Sequence, residues 1–264
     1  MDTVFSRNEL YWGEDFQQHL KNLKIAVFGL GGVGGFALEA LARAGIGHFL
    51  IVDFDTVSTS NINRQLIATN STVGRKKTEL FKQRLFDINP DIKLQIYDGF
   101  YREENNEKIF CNDFALGKID FIADAIDTVK SKIELIKFAK LNNINIISSM
   151  GAGNRMDGTK LFVSDISEIQ ALGGAKDSFI KNILHKLKKY ADVECGLAVV
   201  ASSERAHNIR KIKTVETIKT DDGLSVEYTK FIPASTPIVP AIAGYLMADY
   251  ILKTCYNNFF NKKA

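Results

Sequence analysis

The 264-residue sequence predicts an α/β fold in which a mostly parallel sheet is wrapped by helices, with an elaborated C-terminal half that adds mixed or antiparallel strands. Two observations predict this class. Over the first 155 residues, short apolar runs alternate with helical stretches of ten or more residues, which is typical of parallel strands joined by right-handed crossovers. The first apolar run, KIAVFGL, also passes through a glycine-rich turn directly into a small-residue helix, and this makes the sheet Rossmann-like.

The individual elements follow from hydrophobic periodicity and from the positions of glycine and proline. In the first half, strands are expected at 24–30, 48–55, 93–100, 119–127 and 144–151, with a turn and helix at 31–45 and helices at 76–89 and 130–143. After Gly153 the alternation breaks. There we expect strands at 161–168 and 196–204, a basic helix at 178–190, a hairpin at 214–231 that turns at Asp222 and Gly223, and a terminal helix after Pro237 and Pro240.

The composition indicates a soluble globular protein, with 45% hydrophobic and 25% charged residues and a net charge of +3. No linker or repeat divides the chain, so we expect one domain over 1–264 with halves at 1–155 and 156–264. Three separated cysteines without a CxxC pair exclude a disulfide framework and a four-cysteine zinc site, and they favour the reducing cytoplasm. Asp249 and Lys253 interrupt the apolar C-terminal stretch, which is therefore expected to be a packed amphipathic helix and not a membrane span.

The glycine-rich turn fits the G-x-G-x-x-G pattern of loops that bind phosphate groups. Gly29, Gly31 and Gly34 take the three glycine positions, and Gly32 lies between them. Glycines let a phosphate approach the backbone, and the start of the following helix supplies amide donors. Asp53 lies 19 residues after Gly34, at the end of the next strand, where it can accept hydrogen bonds from ribose hydroxyls. The loop alone does not distinguish NAD from ATP.

Three residues near strand ends favour a nucleotide that is cleaved between its phosphates. Arg64 lies in the segment NINRQ after the second strand, Lys77 opens the next helix, and Asp127 ends the predicted fourth strand. Charge develops on a leaving pyrophosphate, which calls for arginine, lysine and a metal at those oxygens. Asp127 is a hard oxygen ligand suited to Mg²⁺. Taken singly, the three have ordinary explanations as a surface cation, a solubilising helix residue and a helix cap; their placement at successive strand ends favours one shared site.

The motifs GLGGVG, DFDTVSTSNINRQ, VGRKKTE and DAIDT together resemble the ATP-dependent adenylating enzymes related to ubiquitin-activating enzyme, over about residues 5–155. The resemblance implies ATP and Mg²⁺, with catalytic roles for Arg64, Lys77 and Asp127 and with Asp127 as the Mg²⁺ ligand. It also implies that Arg7 reaches the partner's ATP across a homodimer interface. The ATP-binding set that it implies is Gly29, Gly31, Gly32, Gly34, Asp53, Asp55, Asn61, Arg64, Gln65, Lys77 and Asp127.

The second half resembles the tRNA threonylcarbamoyladenosine dehydratases in SSMGAGNRMDGTKLFVSDIS, KNILHKLKKY and Ser202-Ser203-Glu204. That resemblance implies ATP-dependent adenylation of a threonyl carboxylate on tRNA, followed by ring closure with release of AMP. The implied partners are the modified tRNA, a second copy of the chain and sulfur-relay proteins. One alternative is an adenylyltransferase that activates the C-terminus of a sulfur-carrier protein, although those enzymes commonly hold a zinc with two CxxC pairs that this sequence lacks. More distant alternatives are an NAD(P)-dependent oxidoreductase and a non-catalytic nucleotide-binding scaffold.

Two further features of the second half bear on this resemblance. Some relatives carry a cysteine in the strand before the Ser-Ser-Glu-like segment, where this chain has Val199; Cys195 is then either a shifted nucleophile or, as we favour, a small buried hydrophobe. A tRNA also requires a cationic surface. The basic residues expected to supply it, each of which could also be part of a solvated face, are Lys181, Lys186, Lys188, Lys189, Arg205, Arg210 and Lys211.

Overall fold

A computed structural model describes residues 3–169, 178–188, 190, 196–207, 212–219, 225–231 and 233–261. The strands are β1 (Lys24–Phe28), β2 (His48–Asp53), β3 (Lys93–Asp98), β4 (Phe121–Asp124), β5 (Asn145–Ser149), β6 (Leu161–Asp165), β7 (Ala198–Ser202), β8 (Lys213–Lys219) and β9 (Ser225–Phe231). The central sheet has seven strands in the order β3-β2-β1-β4-β5-β7-β6, and β8 and β9 form a separate pair. The helices are α1 (Ser6–Trp12), α2 (Glu14–Leu20), α3 (Gly34–Ala44), α4 (Lys77–Ile88), α5 (Asn106–Ile109), α6 (Val129–Leu141), α7 (Ser178–Leu187) and α8 (Ile238–Asn261).

The predicted fold class is confirmed. Neighbouring strands from β3 through to β7 are all parallel, and β6 at the edge runs antiparallel to β7. The predicted hairpin is also present as the antiparallel pair β8–β9, while its expected turn at Asp222 and Gly223 lies outside the described residues. The strand order reverses beside β1, and the carboxyl ends of β1, β2 and β4 meet there. This arrangement creates the crevice in which open α/β sheets bind ligands.

Some predicted boundaries were wrong. The fourth strand ends at Asp124, so Asp127 does not end it but lies three residues further along, in the connection to α6. The terminal helix begins at Ile238, so it includes Pro240 in its first turn, where a missing backbone N–H removes no helical hydrogen bond. Helices α1 and α2 were not predicted, because seven-residue helices offer too few turns for a clear period.

Two apolar clusters pack on the two faces of the sheet. One includes Leu38 and Leu41 of α3 and Ile251 of α8, and the other includes Ile136 of α6 and Ile183 of α7. Helix α8 crosses α3 so closely that a Cβ added to Gly244 would lie 2.9 Å from the Phe36 Cβ. Helix α8 is long and apolar enough to cross a membrane by length and composition. It packs against α3 as a core helix does. This agrees with the prediction from Asp249 and Lys253, the two charged residues that interrupt its apolar sequence.

Candidate active site at the carboxyl edge of the sheet

The glycine turn joins the end of β1 to the start of α3 and presses against the loop after β4. Gly29 has a positive φ of 84°, and a Cβ added there would lie 2.7 Å from the Ala125 carbonyl oxygen. A side chain on Gly34 would collide with the Gly29 carbonyl oxygen. No side-chain cap hydrogen bond is present at the start of α3, so its first amide donors are available to a ligand, except for the Gly35 N–H, which donates to the Gly31 carbonyl at 3.1 Å. The turn therefore has the form of an anion-binding site at a helix N-terminus.

Asp53 fixes its carboxylate against this turn from the end of β2. One oxygen accepts a hydrogen bond from the Leu30 backbone N–H at 2.6 Å, and the other accepts one from the Asp55 N–H at 2.8 Å. The residue is buried, and burial raises its pKa, while the nearby Lys77 ammonium counteracts that increase. The carboxylate retains lone pairs that can accept hydrogen bonds from a ribose placed beside the turn.

Lys77 begins α4 and points back to the same edge. Its Nζ lies 2.7 Å from Asp55 Oδ2 and 4.0 Å from Asp53 Oδ1. The lysine side chain is almost fully buried, whereas the Asp55 side chain is 44% exposed. Because the partner carboxylate faces solvent, it can turn toward water while the ammonium contacts another anion.

Arg64 and Gln65 approach the turn from the loop after β2. A Cβ added to Gly32 would lie 3.4 Å from Arg64 Cγ, and one added to Gly31 would lie 3.7 Å from Gln65 Nε2. The Arg64 Nη1 donates to the Ser60 carbonyl and to Asn63 Oδ1, both at 2.9 Å. Burial lowers the pKa of this guanidinium and the Asp127 carboxylate counteracts the decrease, which leaves the group charged at every physiological pH.

The Gln65 Oε1 is buried without a hydrogen-bond partner. A buried unpartnered acceptor costs free energy, and this one lies beside the glycine turn, where it can accept a hydrogen bond from a donor on a bound ligand. Asn61 has a structural role as well, because its Oδ1 accepts from the Ser58 N–H at 3.1 Å and closes the short helical turn before Arg64. The NINRQ segment is thus a folded loop that carries its polar side chains toward the turn.

The two aspartates of the DAID segment lie in different environments. Asp127 is exposed, and among the described residues its side chain accepts a hydrogen bond from Thr128 Oγ1 at 3.3 Å. Asp124 is fully buried and receives hydrogen bonds from the Ile126 N–H, Lys132 Nζ and Ser148 Oγ. Asp127 therefore has open oxygens for a cation, and Asp124 has none. The sequence prediction missed Asp124, Lys132 and Ser148.

Arg7 is not brought to this site within one chain. It lies exposed on α1, and the neighbouring Asn8 Nδ2 donates to the Arg43 carbonyl at 2.9 Å. Arg43 is in the last turn of α3, and the eleven residues of that helix place its last turn about 15 Å from its first. Arg7 therefore lies near the end of α3 that is remote from the glycine turn.

The predicted basic surface is described in part. Lys181, Lys186 and Lys188 are exposed, and the apolar face of α7 is buried through Ile180 and Ile183. Arg205 is also exposed, in the segment after β7. Val199 is fully buried within β7. The predictions for Cys195, Lys189, Arg210 and Lys211 concern residues outside the described part of the chain.

Residues of the second half contact the loops around the site through hydrogen bonds that local sequence patterns do not predict. The Asn63 Nδ2, one residue before Arg64, donates to the Ser235 carbonyl at 2.9 Å. Asn154, which has a positive φ of 60°, holds the adjacent Ala234 with two hydrogen bonds. The Glu204 carboxylate accepts from the Met156 and Asp157 N–H groups, so it closes the loop that follows β5.

Within the part of the chain that the structure describes, no group of three or more histidine, cysteine or acidic side chains forms a metal site. One exposed carboxylate beside a phosphate-binding turn nevertheless suits Mg²⁺, which is commonly held by one or two carboxylates together with substrate phosphates. The residues present therefore fit a magnesium–nucleotide complex and not a dedicated metal centre.

Together, the reversed strand order, the glycine turn and the converging Asp53, Arg64 and Lys77 define a nucleotide-binding α/β protein built for a polyphosphate. Residues 5–262 match the ThiF family, and the chain belongs to it. The tRNA threonylcarbamoyladenosine dehydratase of Bacillus subtilis (strain 168) is 40% identical over 248 residues, which are 94% of this chain and 92% of that protein.

A solved structure of the E. coli tRNA N6-threonylcarbamoyladenosine dehydratase TcdA in complex with ATP has a TM-score of 0.80 and 26% identity, covering 98% of this chain and 96% of that one. The Haemophilus influenzae molybdopterin-synthase adenylyltransferase is 34% identical over 144 residues, which are 54% of this chain and 56% of that protein. The resemblances stated from the sequence motifs are thereby confirmed.

Proposed function

We propose that the protein is an ATP-dependent enzyme that dehydrates threonylcarbamoyladenosine in tRNA to its cyclic form. The observation that carries this proposal is the 40% identity to the Bacillus subtilis dehydratase over nearly the whole of both chains. Two solved structures of E. coli TcdA, one in complex with ATP and one in complex with AMP, share the fold over 98% of this chain. ATP is the substrate of an adenylation, and AMP is released when the resulting acyl-adenylate is consumed.

The proposed chemistry solves the problem that a carboxylate is a poor electrophile. Attack of the threonyl carboxylate on the α-phosphorus of ATP forms an acyl-adenylate and releases pyrophosphate. The carbamoyl group then attacks the acyl carbon, the ring closes, and AMP and a proton depart, so that the nucleoside has lost one water. The second step is intramolecular, which can supply several kcal/mol of entropic advantage.

The site residues divide into binding and charge-stabilising groups. Asp53 would accept the ribose hydroxyls, and the glycine turn and Gln65 would surround the phosphates. The side chain of Phe54, exposed and packed edge-on to Phe100 at 5.1 Å, offers an apolar surface to adenine at the ends of β2 and β3. Arg64 and Lys77 would stabilise the charge that develops on the leaving pyrophosphate. For this, Lys77 exchanges the solvent-facing Asp55 for a phosphate oxygen.

Asp127 is the residue that would hold Mg²⁺ together with the nucleotide. When bound, the ion would neutralise part of the triphosphate charge and so favour release of pyrophosphate. Support comes from the exposure of the Asp127 carboxylate and from its effect on Arg64, whose pKa it raises against the lowering by burial. Asn61 supports this arrangement by holding the turn that carries Arg64.

The active form that we propose is a homodimer in the cytoplasm, with Arg7 of each chain completing the partner's site. Support comes from the position of Arg7 near the remote end of its own α3, which leaves the partner's site as the one that it could serve. Leu10 and Tyr11 on the same helix are 81% and 86% exposed, so α1 has an apolar face that a second copy would cover.

Mixing two inactive variants tests this shared site. A dimer of one Arg7→Ala chain and one Lys77→Ala chain has one site with both residues intact, so the mixture should regain part of the activity that each variant lacks. Subunit exchange is checked by mass measurement of differently tagged chains. No recovery despite confirmed exchange would contradict the shared site.

We further propose that the tRNA docks against the face formed by Lys181, Lys186, Lys188 and Arg205. These four side chains are exposed, and cationic surfaces neutralise RNA phosphates. Lys189, Arg210 and Lys211 are expected to extend the same face on sequence grounds alone. Sulfur-relay proteins would assist the reaction in the cell.

A sulfur-carrier adenylyltransferase is the second candidate, because the Haemophilus influenzae molybdopterin-synthase adenylyltransferase is 34% identical over 54% of this chain. It is less favoured, since that match covers 54% of this chain against 94% for the dehydratase. An exchange assay separates the two. Labelled pyrophosphate should enter ATP when tRNA carrying threonylcarbamoyladenosine is added, and not with unmodified tRNA or a carrier protein; the product nucleoside should be lighter by one water. Exchange with the carrier protein alone would refute the dehydratase.

A further inference from the structure

A buried ion pair lies directly behind the loop that carries Asp127. Lys132 Nζ is 2.7 Å from Asp124 Oδ2, and both side chains are 0% exposed. Ser148 Oγ joins them, at 3.0 Å from the ammonium and 2.7 Å from the same carboxylate oxygen. None of the three residues is needed to contact a nucleotide, so their burial has another explanation.

The position of Lys132 is unfavourable for stability on two grounds. It lies in the first turn of α6, where the helix dipole disfavours a positive charge. Its ammonium is also removed from water, and replacement of such a buried pair by apolar groups is often neutral or stabilising. A lysine at this place therefore serves to fix a structure and does little to increase stability.

The structure that it fixes is the connection 125–128. Asp124 ends β4 before this connection and Lys132 follows it in α6, so one ion pair closes the loop at both ends. The other Asp124 oxygen accepts from the Ile126 N–H at 3.0 Å, inside the loop. The Ala125 N–H donates to the Phe28 carbonyl at 2.8 Å and holds the start of the loop against the glycine turn. Asp127 is the exposed member of this closed loop.

We infer that Lys132, Asp124 and Ser148 form a positioning unit that aims Asp127 at the phosphates and thereby sets the Mg²⁺ requirement of nucleotide binding. The inference rests on the role proposed above for Asp127. Loss of a partner that orients a metal-binding side chain from behind typically costs about 10- to 100-fold in metal affinity. In this chain, the carboxylate is oriented through the backbone of its loop.

The test is ATP binding by titration calorimetry over a range of Mg²⁺ concentrations, without tRNA, so that the acceptor substrate plays no part. Lys132→Met should raise the Mg²⁺ concentration for half-maximal enhancement of ATP binding by about tenfold, with little change in ATP affinity in EDTA. Ser148→Ala, a smaller change, should move the Mg²⁺ dependence in the same direction by less and decides the matter if Lys132→Met does not fold. Lys137→Met is the matched control, since it removes an ion pair with Glu103 from the same helix.

The outcomes separate this inference from the proposed function. If Asp127→Asn shifts the Mg²⁺ dependence and the folded Lys132 and Ser148 variants do not, the positioning unit is overturned and the role of Asp127 stands. If Asp127→Asn leaves the Mg²⁺ dependence unchanged, the positioning unit and the proposed role of Asp127 are both overturned. A shift as large in Lys137→Met as in Lys132→Met would also refute the inference, because a loss of general helix stability would then explain it.

Discussion

Two lysine–aspartate pairs stand at the carboxyl edge of the same sheet, and they differ in setting although both span 2.7 Å. Lys77 meets Asp55 where the carboxylate is 44% exposed, while Lys132 and Asp124 are both completely buried. A partner that faces water can be exchanged for a phosphate at low cost, but a fully buried partner cannot leave without opening the core. The distance alone therefore does not distinguish an ion pair that can exchange its partner from a permanent structural one. The solvent exposure of the carboxylate distinguishes them.

The largest expected difference between the two pairs is in stability. Lys132→Met should lower the free energy of unfolding by about 3–5 kcal/mol, because Asp124 is left buried without its cation. Lys77→Met should cost less, because Asp55 turns to solvent and the buried Asp53 keeps its hydrogen bonds from the Leu30 and Asp55 N–H groups when it loses a cation 4.0 Å away. Denaturant unfolding of both variants measures the difference.

The double variant Asp124→Asn with Lys132→Met should regain much of that stability, since no unpaired charge remains. Equal destabilisation by Lys77→Met and Lys132→Met would show that the two pairs are alike and would break the comparison.

Arg64 differs from both lysines, because its Nη1 donates to neutral groups of its own loop and not to a carboxylate. Arg64→Ala should therefore change stability little and slow adenylation by about a hundredfold, or about 3 kcal/mol, through loss of one charge-stabilising donor. Arg64→Lys should recover part of the rate, since lysine keeps the charge without the planar fork. Single-turnover adenylation at saturating ATP measures this. A normal rate of adenylation by Arg64→Ala would show that Arg64 does not stabilise the transition state.

The smallest expected effect concerns Asp53, which lies within 4.0 Å of Lys77 and belongs to neither pair. Its pKa is raised by burial, so the carboxylate takes up a proton at a higher pH than an ordinary aspartate does. The protonated group accepts ribose hydrogen bonds less well. ATP affinity should thus fall as the pH decreases through this raised pKa, and it should be fully present above it. Calorimetric titrations with ATP across the acid range check this. The ATP affinity of Asp53→Asn is expected to be low and nearly independent of pH.

Sequence patterns predicted the parts of the site that depend on local structure. The glycine turn, Asp53 and the start of α4 follow from strand, turn and helix signals that lie close together in the chain, and the structure places them at one edge. The exact end of β4 could not be predicted, because both aspartates of DAID suit a strand end. The burial of Asp124 and the exposure of Asp127 become visible once β4 lies beside β1 and β5.

Other features were hidden for a similar reason. The sequence predicts Lys132 to be an ordinary solvent-facing residue of an amphipathic helix, whereas its buried partners, Asp124 and Ser148, lie on the strands β4 and β5. The contacts of Asn63 and Asn154 with the segment before α8 join residues that are 172 and 80 positions apart. Such contacts depend on tertiary packing, which periodicity and motif spacing do not encode.

The hydrogen bond from Asn63 to Ser235 also has a consequence for synthesis. During translation, residues 1–155 emerge long before the segment that holds the NINRQ loop and before α8, which covers α3. Contacts of such long sequence separation form late, because the intervening chain must be ordered first. We therefore expect a nascent chain to acquire its sheet before its phosphate site, so that nucleotide binding begins when the last helix has docked.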